Sequence, residues 1–336
     1  MRATLNRFFP KTLTAVFGSL AALTVTLTAT GCGTTASAAA TVAGPTQASA
    51  QKVFSAYVTA QRVAVVNHDA LLASSLTSSS QYSLVSTQWS ANQTVIAPSY
   101  GKPTFYVPKL ITYPQWFMAV VPEYDHGRSL GTYLMVFDKP EASAPWALDG
   151  SVQLARDAPA LNIAVKDGYA TALRTTDTNL LFRPDEVGAL HASVVDEGPT
   201  SPAAKVVEAG PLTTGLYQSY TAKQKQAPDY FFSWELEGTS YPFFALATND
   251  GGAIVMYTMS LNTATSPKKA STQPIPIPDG LQSLVLAGKP PITHVLDIDS
   301  TLQYVAVDPP PAKKGGTTGK LQVVGSSGFP TYVGGK

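Results

Sequence analysis

Hydrophobic residues along the chain follow no period at first, then a helical one, then a two-residue one, and the helix-then-strand order comes round twice. Residues 13–27 are mostly apolar, interrupted by Thr14, Ser19, Thr24 and Thr26. That run of about 15 falls short of the about 20 a membrane-crossing helix needs. Residues 33–49 are almost all Ala, Thr, Ser and Gly, with no large apolar residue but Val42, which cannot bury a core and predicts a flexible tether. From residue 50, Phe54, Val58 and Val65 recur near the 3.6 period, with Tyr57, Ala60 and Ala64 beside them. The spacing predicts a helix over 50–68 and a second one, capped by Asp69, carrying Leu71, Leu72 and Leu76. Strand-like runs follow at 104–110, 115–124, 131–137 and 147–154, and 161–173 holds the hairpin signal Asp167-Gly168.

The second round opens with predicted helices at 184–196 and 211–226. Strands are then expected at 230–236, 243–248, 253–261, 293–297, 302–308 and 321–324, with a Pro- and Lys-rich surface loop over 266–291. Thr112-Tyr113-Pro114-Gln115-Trp116-Phe117-Met118-Ala119 reads like Ser240-Tyr241-Pro242-Phe243-Phe244-Ala245, each preceding a strand with a methionine, Met135 and Met256. Helices followed by antiparallel strands is an α+β layout. The expected organisation is a leader over 1–31, a tether over 32–49, and two units over 50–182 and 183–333, each with helices packed on a curved antiparallel sheet.

The leader changes the picture of location. Arg2, Arg7 and Lys11 charge its first segment, and Ala29-Thr30-Gly31-Cys32 places small residues directly before the chain's single cysteine. That layout reads as a bacterial lipoprotein signal, with Cys32 lipidated as the new N-terminus. The predicted location is the outer face of the cell membrane, held by a lipid anchor, since two acyl chains hold where one is marginal. With Cys32 consumed, the fold has no disulfide and must rest on its core. The formal charge of +1 includes three leader cations and no leader acid, leaving 20 basic against 22 acidic residues in the mature chain. That balance offers no electrostatic case for nucleic acid.

Phe54 to Tyr57, Asn67-His68-Asp69 and Leu71-Leu72 resemble the opening of the NTF2-like, cystatin-related α+β fold. Over nearly all of the mature chain, Pro103-Thr104-Phe105-Tyr106-Val107-Pro108, Tyr113-Pro114-Gln115-Trp116-Phe117, Ala144-Pro145-Trp146 and Asp167-Gly168-Tyr169-Ala170 resemble a family of actinobacterial lipoproteins of unknown function. The resemblance implies an exported, lipid-anchored α+β protein and supplies no catalytic residues.

Candidate chemistry is sparse. Val295-Leu296-Asp297-Ile298-Asp299-Ser300-Thr301 has the form of a haloacid-dehalogenase-like phosphatase motif, but too little chain follows it for that doubly wound domain. A turn between two strands accounts for it better. Ser266-Pro267-Lys268-Lys269 contains Ser-x-x-Lys without the helix start that motif needs. His68, His126, His191 and His294 lie in separate segments with no paired metal spacing, so neither a metal nor a cofactor is expected. Asp125-His126 in a hairpin turn could supply a general base, and with Asp297 and Asp299 it forms the alternative reading, an extracytoplasmic hydrolase. An uptake-transporter binding protein ranks below both, because such lobes alternate strands with helices. The leading expectation is a non-catalytic module that binds another envelope protein or a small apolar ligand. Its candidate ligand-binding residues are the sheet aromatics Tyr106, Trp116, Phe117, Tyr133, Trp234 and Phe244.

Overall fold

The computed structural model describes residues 43–91, 95–285, 290–312 and 318–336. The leader and Cys32 lie outside the described residues, and among the described residues no helix is long and apolar enough to cross a membrane.

Helix α1 spans Gln47–Val66, and a reciprocal capping box starts it: the Thr46 hydroxyl accepts from the Ser49 N–H, and Ser49 caps Thr46 in return. Its apolar stripe buries Phe54 and Tyr57. Helix α2, Ala70–Ser75, follows with Asp69 accepting from the Leu72 N–H at 2.9 Å, the cap expected from sequence. Helix α3, Ser79–Ser90, was not legible in the periodicity, because its buried positions are Ser80 and Leu84 and the rest of it is largely Ser, Thr and Gln.

The first sheet is built from β1 (Ser99–Tyr100), β2 (Thr104–Tyr106), β3 (Gln115–Asp125), β4 (Arg128–Lys139) and β5 (Ala147–Gln153). The order is β1-β3-β4-β5, with β2 lying beside β1 along the same edge of β3. A small hairpin, β6 (Val165–Lys166) and β7 (Tyr169–Ala170), turns at Asp167-Gly168 as expected. Helices α4 (Val187–Glu197) and α5 (Thr214–Gln226) precede the second sheet. That sheet comprises β8 (Tyr230–Gly238), β9 (Phe244–Ala247), β10 (Ala253–Pro267), β11 (Leu296–Asp308) and β12 (Gln322–Gly335), in the order β12-β11-β10-β8 with β9 beside β8 along β10. Both sheets are antiparallel, and the architecture is α+β.

The two sheets share one plan: two strands side by side along one edge, then three strands in a meander. In that plan β3 corresponds to β10. The two Tyr-Pro segments therefore stand at different places, Tyr113-Pro114 before β3 and Tyr241-Pro242 before β9.

Three strands run further than the sequence suggested. Strand β11 is continuous where a turn was expected at Asp297-Ile298-Asp299-Ser300. The residues alternate polar and apolar, and β10 and β12 pair along its length, so the ladder carries the strand through both aspartates. Strand β10 reaches Pro267, correcting a loop expected from residue 266; with no N–H to donate, Pro267 ends the ladder. Strand β12 runs on through Gly325, Gly328 and Pro330 to Gly335. Gly325 is needed for close approach, since a side chain there would strike the Gln153 carbonyl at 2.8 Å.

Period-2 alternation then builds three stacked cores. Trp116, Met118, Leu134 and Val136 on one face of the first sheet meet Phe244, Leu246, Ile254, Met256 and Val305 on the second. The opposite face of the first sheet, with Phe117, Ala119, Met135 and Phe137, packs under α1. The opposite face of the second, with Val255, Tyr257, Met259 and Tyr304, packs under α4. The order is helix, sheet, sheet, helix. Along one side Leu154 bridges to Gly325 in β12. Along the other, residues 163–173 bond to β9 through Ala164 and Leu173 and to Val107 through Ala170.

Candidate functional site

The six aromatic positions expected to bind ligand are distributed over all three cores. Tyr106, Trp116 and Phe244 face the central core, where the Trp116 and Phe244 rings meet edge to face at 5.3 Å. Phe117 and Tyr133 face α1, and Phe117 stacks on Phe137 at 5.1 Å. Trp234 faces α4 and α5, donating from its indole N–H to the Val195 carbonyl. The structure thus groups Tyr106, Trp116 and Phe244 in one core and Phe117 with Tyr133 in another, and places Trp234 in a third.

The alternative catalytic residues are equally dispersed. His126 Nδ1 lies 2.7 Å from Asp125 Oδ1 at the tip of the β3–β4 hairpin, with the His126 side chain almost fully exposed. Asp297 and Asp299 stand on β11, on the same face as Glu235 and Glu237 of β8. No group of three or more His, Cys, Asp or Glu side chains among the described residues could hold a metal ion.

Other titratable groups are buried. His191 on α4 is fully buried, with Nε2 at 2.7 Å from the Leu212 carbonyl and Nδ1 at 3.0 Å from the Tyr257 hydroxyl. A carbonyl only accepts, so Nε2 carries the proton and Nδ1 accepts from Tyr257. Burial lowers its pKa to about 4, against a smaller opposing effect of the Leu212 carbonyl, and both nitrogens are spent on structure. At the start of α3, the Ser78 hydroxyl donates to Asp138 at 2.7 Å and lies 3.5 Å from Asp149. Burial raises both carboxyls, Asp149 to about 7, and the neighbouring Asp138 adds to that rise. One turn further in, Ser80 meets the Thr258 hydroxyl and accepts from Gln303, whose Oε1 accepts from the Ser151 N–H. These bonds tie α3 to both sheets.

Fastening α3 in this way leaves a cleft between the helices. Tyr57, Gln61 and Val65 form one wall, spaced by four along α1. Gln81, Val85, Gln88 and Trp89 line it from α3, and Ala73 of α2, Leu76, Thr77, Val95, Ile96 and Phe329 of β12 complete the lining. Its volume is about 330 Å³, and among the described residues that line it none is charged. The Tyr100 hydroxyl donates to Gln61 Oε1 at 2.9 Å, which fixes that amide. Gln81 Oε1 is buried and accepts no hydrogen bond. Tyr57 is the cleft's one titratable group, and burial, with the Glu123 carboxylate beside it, pushes its phenol well above its ordinary range. A larger cleft of about 780 Å³ lies where the 153–159 segment, the 208–213 loop and the start of β12 meet. On α1 the helix was legible, with Tyr57 and Val65 among its periodic positions, but Gln61 was not singled out; the α3 wall was hidden with its helix.

A sequence profile described as a domain of unknown function, DUF8094, matches residues 30–328. The chain belongs to the DUF8094 family. That match covers the five described helices, the first sheet and the second sheet as far as the middle of β12, and so takes in both helical walls of the α1–α3 cleft. A protein of Streptomyces avermitilis described as an uncharacterized lipoprotein is 26% identical over 156 residues, which is 46% of this chain and 44% of the relative. The match therefore spans less than half of that relative's length. No solved structure matches.

Proposed function

We propose that the chain is a lipid-anchored module of the cell envelope that acts by binding, through the cleft between α1 and α3. The observation that carries this is the cleft's chemistry. Its walls offer aromatic rings, aliphatic side chains and three glutamine amides, groups that hold a ligand, and its one ionisable group stays protonated across the physiological range. The anchor is supported by the leader pattern ending at Cys32 and by the lipoprotein description of the Streptomyces relative. The membrane is then one partner, through the lipid on Cys32, and the bound ligand or envelope protein the other. The shared plan of the two sheets supports reading residues 50–182 and 183–333 as tandem NTF2-like or cystatin-like units.

Two experiments test the proposal. Cys32→Ala should abolish palmitate labelling and move the chain from the membrane fraction to the soluble one. Native mass spectrometry of the lipidated full chain, released gently from its host, should show a bound mass that Trp89→Ala removes. An unlabelled wild-type chain refutes the anchor, and a bound mass indifferent to Trp89→Ala refutes the cleft.

A further inference from the structure

We propose that the α1–α3 cleft takes an uncharged saccharide unit, a conclusion that rests on the cleft being the binding surface. Three properties of the lining select the ligand. Among the described residues no charged side chain lines the cleft, so an anionic or cationic ligand would lose its hydration with no counter-charge from them in return. Amides from Gln61, Gln81 and Gln88 break up the apolar walls, and the buried Gln81 Oε1 has no donor among the described residues. A hydrocarbon chain would leave that acceptor unpaired, at a cost of about 1–3 kcal/mol, whereas a hydroxyl group donates to it.

The remaining walls suit a ring that is polar at its rim and apolar on its faces. Trp89 and Phe329 provide aromatic surface for the C–H face of a pyranose or furanose, while the amides meet its hydroxyls from both helices. At about 330 Å³ the cleft is near the lower end of ligand-pocket volumes, about 300–1,000 Å³, which suits one or two sugar rings better than a lipid tail. The same elements that hold the cleft open also fix its donors. Tyr100 sets the Gln61 amide, and the Ser80–Gln303 bonds hold α3 at its distance from the sheets.

The test titrates the full chain in a polyoxyethylene detergent, which carries no sugar headgroup. The probes are neutral hexoses, pentoses, N-acetylhexosamines and their disaccharides, with glucuronic acid and n-octanol for comparison. Calorimetry and saturation-transfer NMR should show a neutral saccharide binding, with Trp89→Ala and Gln81→Leu each weakening it by about tenfold or more. Gln81→Leu should keep or raise the melting temperature, because it removes an unpaired buried acceptor, so lost binding there is not lost folding. Trp89-dependent binding of octanol without any saccharide overturns the ligand class and leaves the cleft as a binding site. Glucuronic acid binding as well as its neutral counterpart also overturns the class. Saccharide binding unchanged in both variants overturns the site, and no binding of any probe overturns this inference while the search for a bound mass still tests the cleft.

Discussion

Replacing Asp149 with asparagine separates the charge of this side chain from its shape. Asp149 is 3% exposed on β5, and its folded pKa is about 7, raised chiefly by burial and further by the Asp138 carboxylate. Its ordinary value is 3.8. Because the folded value is the higher one, the stabilisation linked to Asp149 is complete below pH 3.8 and is lost as pH rises through 7. Between pH 5 and pH 7 that loss is about 3 kcal/mol, at about 1.4 kcal/mol per pH unit, and above pH 7 it levels off. The amide of the Asp149→Asn chain carries no charge at any pH. The advantage of the variant over the wild type should therefore grow by about 3 kcal/mol between pH 5 and pH 8. Urea unfolding of both full-length chains at the two pH values measures it. Glu123 and Asp308, also raised to about 7, titrate in both chains and cancel in the comparison. An advantage that stays level, or shrinks, as pH rises would refute the assignment of a buried, near-neutral carboxyl.

The opposite limb of the pH profile belongs to His191. Its folded pKa of about 4 lies below the ordinary 6.5, so stability should fall as pH drops from 6.5 through 4, and His191→Gln should flatten that limb by about 3 kcal/mol in the same assay. Leu246→Ala, at a fully buried position in the central core, should cost about 2–5 kcal/mol, read from the denaturant midpoint. Gln303→Leu leaves the Ser151 N–H without its acceptor and Ser80 without its donor. It should destabilise by about 2–4 kcal/mol and speed amide hydrogen exchange in α3 before that in β3 and β4.

Local signals in the sequence were strong where one element decides its own fate. Asp69 capping α2, the Asp167-Gly168 hairpin and the Phe54–Tyr57 stripe of α1 all appear as expected. Helix α3 escaped because the face it buries is polar: Ser80 is inside only because Thr258 and Gln303, 178 and 223 residues away, are there to meet it. The run of β11 through Asp297 and Asp299 escaped for a similar reason, since the strands on either side override the low strand preference of aspartate. The stacking of the two sheets left no local mark at all. Trp116 and Phe244 look equally like pocket lining or core until the partner sheet is known. The α1 side of the cleft lay on a helix that was legible, and the other side depended on α3, which was not.

The bridge from Leu154 to Gly325 and the double attachment of residues 163–173 make the sheets a closed circuit, and this bears on when the chain can fold. Val324 belongs to the same core as Trp116 and Met118, although some 200 residues of chain separate them. The first sheet therefore cannot complete the burial of its inner face until nearly the last strand has emerged. For a chain threaded outward across a membrane, such a topology postpones commitment: the leading half stays open while the rest follows, and the circuit closes only on the far side.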